Sequence, residues 1–170
     1  PELILIKTLS QSGDWQVYAE PIGNGDKLVL NSDAGASSST RWDSTSPTSS
    51  VFTLRDIGLG TGLIAYCFHS VDGFSKIGTY AGNSSTDGPI VETGFEPAFL
   101  MIKEATGTNV LSNWHTYDNK RQLFNPRTRK LNANTTQAEY SYGKVDFLSN
   151  GFQILDNDTA FNESGSTYLY

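Results

Sequence analysis

The sequence predicts an all-β protein built as an antiparallel sandwich or jelly roll. Three observations predict it. Apolar residues alternate at period two or form short unbroken runs, as strands do. Gly, Ser, Thr, Asn and Asp punctuate those runs every 8–12 residues or so, the spacing of short strands joined by turns. No segment repeats apolar residues at i, i+3, i+4 and i+7 over three turns, so no amphipathic helix is expected.

Taken in order, Leu3-Ile4-Leu5-Ile6 is an unbroken apolar run, expected of a strand covered on both faces. Trp15-Gln16-Val17-Tyr18 and Lys27-Leu28-Val29-Leu30 follow, separated by the turn-forming Pro21-Ile22-Gly23-Asn24-Gly25-Asp26. Residues 32–50 are mostly Ser, Thr, Asp and Ala around Trp42, which reads as a long polar loop. Val51-Phe52-Thr53-Leu54 and residues 63–68 are expected as strands, with Cys67 buried as a small hydrophobe. Lys76-Ile77-Gly78-Thr79-Tyr80 and Ile90-Val91-Glu92-Thr93 complete the readable strands of this stretch.

Laying the chain on itself shows a second layer of order. Pro1 to Lys7 aligns with Pro97 to Lys103, and Asp14-Trp15-Gln16-Val17-Tyr18 with Asn113-Trp114-His115-Thr116-Tyr117. Lys27-Leu28 and Asn31 align with Lys130-Leu131 and Asn134, Phe52-Thr53-Leu54 with Phe152-Gln153-Ile154, and Gly60 and Leu63-Ile64 with Gly165 and Tyr168-Leu169. The offsets are 96, 99, 103, 100 and 105, so strands keep their order while loops change length. A tandem repeat is therefore expected, with residues 1–68 as the C-terminal part of a first unit and 69–170 as a nearly complete second one. The chain then reads as a segment of a longer protein.

Composition limits the function. Among 170 residues, 37% are hydrophobic, 18% are charged and the net charge is −6. An acidic chain lacks the basic face that a nucleic-acid backbone or an anionic membrane needs, so neither is expected as a partner. No apolar run reaches the length of a membrane-spanning helix.

Catalytic and metal motifs fare poorly. Cys67 and His69 share a strand face, but no Gly-rich oxyanion turn follows the cysteine. His115 falls where the first repeat has Gln16, so the repeat does not require an imidazole there. Gly58-Leu59-Gly60-Thr61-Gly62 lacks the lysine and the following helix of a phosphate loop. Asp156-Asn157-Asp158 with Asn162 and Glu163 offers oxygens suited to calcium, but without EF-hand spacing, and a self-bonded turn explains the same residues. No cofactor and no catalytic residue is expected. Trp15 and Trp114 recur and are expected in the core. Trp42 has no counterpart, lies in the polar loop, and is the expected exposed ligand contact.

The combination of the segment Gly94-Phe95-Glu96-Pro97-Ala98-Phe99-Leu100-Met101-Ile102-Lys103, then Tyr117-Asp118-Asn119-Lys120-Arg121, Phe147-Leu148-Ser149-Asn150-Gly151-Phe152, and Asn162-Glu163-Ser164-Gly165-Ser166-Thr167-Tyr168 resembles a domain repeated in tail-fibre and other virion proteins of marine bacteriophages. Residues 66–80 look like the linker joining successive copies. The resemblance implies a concanavalin-like β-sandwich serving as a non-enzymatic structural module of a virion fibre or appendage on the particle surface. Its expected partners are other virion proteins or copies of itself in a homo-oligomer. The alternative expectation is a carbohydrate- or host-receptor-binding module at a fibre tip.

Overall fold

The computed structural model describes residues 1–55, 58, 60–107 and 112–170. The protein is all-β, with thirteen strands among the described residues arranged in two antiparallel sheets. The first sheet holds β1 (Leu3–Thr8), β2 (Gln16–Ala19), β3 (Asp26–Val29), β4 (Ser37–Ser38) and β5 (Leu63–Phe68), in the order β4-β3-β2-β1-β5. The second holds β6 (Thr79–Ala81), β7 (Ile90–Glu92), β8 (Phe99–Thr106), β9 (His115–Asp118), β10 (Arg127–Asn132), β11 (Tyr140–Leu148), β12 (Gly151–Ile154) and β13 (Thr167–Leu169). Its order is β6-β13-β8-β9-β10-β11-β12-β7.

Alternation along the strands sorts the apolar residues into three cores. On β1, Leu3 and Leu5 join Val17 and Leu28 of the same sheet in facing Met101, Ala105, Trp114 and Leu169. Ile4 and Ile6 face the other way and lie fully buried with Tyr18 under Trp42, Phe52 and Leu54. That is the two-sided burial expected of the unbroken run. The loop between β3 and β5 therefore acts as a lid over the outer face of the first sheet. The second sheet encloses its own core of Leu100, Ile102, Tyr117, Val145, Phe152, Ile154, Phe161 and Tyr168. It curls far enough that Tyr80, on edge strand β6, lies edge-on to Phe152 of β12 at a centroid distance of 6.0 Å.

Polar bonds tie the two sheets together where the apolar contact thins. Trp114 Nε1 donates to Val29 O at 3.0 Å, and Ala36 N donates to Ala105 O at 2.7 Å. Lys103, fully buried, donates through Nζ to Asp33 O at 3.0 Å and Glu104 O at 2.8 Å. The segment after β5 is held back against the start of β1 because the Glu2 carboxylate accepts from Ser70 N at 3.2 Å and Ser70 Oγ at 2.5 Å.

Three strand pairings within residues 1–68 have equivalents within residues 69–170. Leu3, Ile4, Leu5 and Ile6 stand opposite Ala19, Tyr18, Val17 and Gln16; Phe99, Leu100, Met101 and Ile102 stand opposite Asp118, Tyr117, Thr116 and His115. Val17 faces Leu28 as Thr116 faces Leu131. Lys7 and Thr8 face Ile64 and Leu63 as Lys103 and Glu104 face Leu169 and Tyr168. These pairs link positions that the sequence aligns, or that lie one residue beyond an aligned segment at the same offset.

Three sequence expectations need correction. Residues 51–54 form no strand; Phe52 and Leu54 instead cap the outer core in an extended loop. β11, nine residues long, is a strand that the short apolar runs do not mark. Cys67 is on a strand as expected, but exposed, because β5 is an edge of its sheet.

Candidate functional site

Two cavities and one strand edge offer surfaces for function. The first cavity, of about 300 Å³, opens between β9, β11 and the turn before α1 (Thr159–Asn162), and is lined by Ser112, His115, Tyr140, Tyr142 and Asp158. Beneath it lies a buried polar network. Ser112 Oγ lies 3.3 Å from His115 Nε2, Asn132 Oδ1 lies 3.0 Å from His115 Nδ1, and Lys130 Nζ lies 2.5 Å from the same nitrogen. Lys130 also lies under the faces of Tyr140, Tyr142 and Phe161, at 4.9, 4.5 and 5.1 Å from the ring centroids.

Two charged groups cannot share that space. Burial, followed by the charge of Lys130, pushes the His115 imidazole down to about 3. Burial likewise lowers the Lys130 ammonium to about 7, against the attraction of Asp158. The aromatic faces favour a cation, but desolvation outweighs them. The Ser112–His115–Asn132 alignment has the outline of a hydrolytic relay. Its serine is buried, however, and its hydroxyl donates to Ala160 O at 3.3 Å, a main-chain acceptor that competes with His115 for the same proton. The network reads more simply as a satisfied polar core.

The second cavity, of about 450 Å³, is apolar and opens between the sheets at the Pro1 end. Leu3 and Leu5 form one wall, Met101 and Tyr170 the other, and the exposed rings of Phe74 and Phe99 stand at its rim.

The residues singled out from sequence end up in different places. Trp42, the expected exposed contact, is only 1% exposed. It packs edge-on to Tyr18 at 5.3 Å and donates Nε1 to Asp26 O at 3.0 Å, so its indole is a core group and offers no face to a ligand. A polar loop hid it because its neighbours fold over the first sheet instead of into solvent. Trp114 is buried as expected, whereas Trp15 is half-buried beside Tyr66. His69 Nδ1 is bonded to Ser70 O at 2.8 Å.

Gly58, Gly60 and Gly62 have φ of 70°, 71° and 78°, the left-handed turn conformation that glycine favours, and strand β5 follows; Leu59 lies outside the described residues. In the acidic loop, Asp156 Oδ1 accepts from Asp158 N at 3.0 Å, and Asp158 Oδ1 caps α1 by accepting from Ala160 N at 2.9 Å. Asn162, fully buried, donates to Asn83 Oδ1, Ser85 O and Asp156 O. These are the self-bonded turn contacts that compete with cation binding for the same oxygens. Glu139 is engaged by Arg121 and Arg129, each at 3.0 Å.

Sequence reasoning missed the strand edge. β5 pairs with β1 on one side, and among the described residues no strand pairs with its other side. The signal was present: a six-residue apolar strand, Leu63 to Phe68, with no charge and no proline.

No curated protein and no solved structure matches the chain. A family model does match, over residues 1–170: the chain belongs to DUF7483, a family described as a domain of unknown function.

Proposed function

We propose that this chain is a non-catalytic structural module of a bacteriophage virion, part of a tail fibre or appendage, in which copies of one β-sandwich unit of concanavalin or jelly-roll type follow each other along the protein. The observation that carries this reading is the coincidence of register: aligned residues pair with aligned residues across three strand contacts in each half. Duplicated units joined by short linkers are how fibrous assemblies gain length without new folds. The virion assignment draws on the likeness of motifs between residues 94 and 168 to phage fibre domains. The buried position of Trp42 removes the residue on which a sugar-binding reading rested.

The test is composition of the particle. Mass spectrometry of purified phage that encodes the chain should recover its peptides, and antibodies raised against it should decorate fibres in negative-stain micrographs. Peptides found only in lysate, with bare particles, would overturn the proposal.

A further inference from the structure

β5 is an unusual edge. Natural sheets blunt their edges with charge, proline, bulges or a covering segment, because a bare apolar edge recruits other strands. Leu63-Ile64-Ala65-Tyr66-Cys67-Phe68 has none of the sequence devices, and Leu63, Tyr66 and Phe68 are 40%, 47% and 47% exposed.

The second half shows what covers the matching edge. There β13, aligned with the start of β5, pairs on its outer side with β6: Tyr168 faces Tyr80 and Leu169 faces Thr79. Tyr80 stacks on Tyr168 at 5.0 Å, lies edge-on to Phe152 and donates its hydroxyl to Phe161 O at 2.8 Å. β7 then covers Phe152 from the next strand, with Val91 opposite it. Both covering strands come from residues 69–96. The consequence is visible in burial: Tyr168, Phe152 and Ile154 are completely buried, while their counterparts Leu63, Phe52 and Leu54 are not.

We propose that the free edge of β5 is a docking site for a β-strand of the β6 type, supplied by a further copy of the 69–96 segment. The incoming strand runs antiparallel to β5 and sets a tyrosine opposite Leu63 and a threonine opposite Ile64, the register that Tyr80 and Thr79 hold on β13. Main-chain bonds supply the affinity and the tyrosine supplies the selectivity, as in strand addition generally. The inference rests on reading the chain as two copies of one unit, though not on the virion assignment.

The experiment grafts a second copy of residues 69–96 in front of Pro1, which recreates at the junction the Glu96–Pro97 step of the native chain. Controls are a graft of scrambled sequence and a graft carrying Tyr80→Asp in the added copy. The faithful graft should slow amide exchange at residues 62–64 by about tenfold or more and raise the unfolding midpoint, and both controls should lose the gain. A faithful graft indistinguishable from the scrambled one would overturn the proposal. So would an ungrafted chain that dimerises through β5 and continues to do so with the graft in place, because the edge would then belong to a second copy's β5. Interstrand contacts measured by NMR report the shared registers independently, so intact registers with a failed graft remove the docking claim alone.

Discussion

Asn134 does for Trp114 what Asn31 does for Trp15. Each asparagine accepts the tryptophan's backbone N–H through Oδ1, at 3.0 and 2.8 Å, and donates Nδ2 to the residue before the tryptophan, Asn113 at 2.8 Å and Asp14 at 2.9 Å. The backbone repeats the likeness, with Ala133 N donating to Trp114 O at 2.9 Å and Leu30 N to Trp15 O at 3.0 Å. This bracket fixes the start of the central strand in each half. Replacing either asparagine with alanine should cost about 1 kcal/mol, a little more at Asn134, where the bonds are half-buried, as read from urea unfolding midpoints.

Trp42 should behave as a core residue. Trp42→Ala is expected to destabilise by about 3–5 kcal/mol, with loss of near-ultraviolet dichroism from the Tyr18–Trp42 pair. A change below about 1 kcal/mol would place the indole at the surface after all.

Stability should fall in acid and rise through mildly alkaline pH. The unfolded His115 takes a proton near 6.5 but the folded one only near 3, so stability is lost as pH drops across that interval. Unfolded Lys130 and Lys103 hold their protons to 10.5, whereas the folded groups release them near 7 and 8. Between those values the unfolded state binds more protons, and stability climbs with pH. His115→Gln, which installs the residue found at position 16, should flatten the acid limb. Lys130→Met should flatten the alkaline one, both followed by denaturant midpoint against pH.

Gly143 marks a close approach within β11. Its φ is 70°, and a Cβ there would come within 2.6 Å of Tyr117 Oη and 2.7 Å of the Phe161 ring. Tyr117 uses that space to donate to Tyr142 O at 2.9 Å. Gly143→Ala should therefore destabilise by about 1–3 kcal/mol, measured as a fall in thermal midpoint.

Cys67 should react with a maleimide at the rate of an exposed thiol without prior unfolding, because β5 leaves it in solvent. Protection equal to that of a core thiol would contradict the open edge.

Period-two patterning was enough to read β1, β2, β3, β5 and β7, since each carries its apolar residues in one short run. The internal alignment extended that reading to β8, β9, β10, β12 and β13. β11 escaped because it has no counterpart in the first half and glycine interrupts its alternation, although Val145 and Phe147 do face inward. Residues 51–54 look like a strand by composition. They lack a neighbour to pair with, because neither strand that flanks their counterparts in the second half, β11 or β7, has a match beside them among the described residues. The buried network around His115 was illegible for a different reason. Ser112, His115, Lys130 and Asn132 come from two strands and a loop, and only the shared register of β9 and β10 brings them together.

The most direct test of the two-copy architecture is NMR measurement of interstrand contacts in the folded chain. The predicted result sets Leu5 opposite Val17 and Met101 opposite Thr116, with Lys7 opposite Ile64 and Lys103 opposite Leu169. A slip of even one residue in either half would turn its side chains to the opposite face and contradict the shared unit.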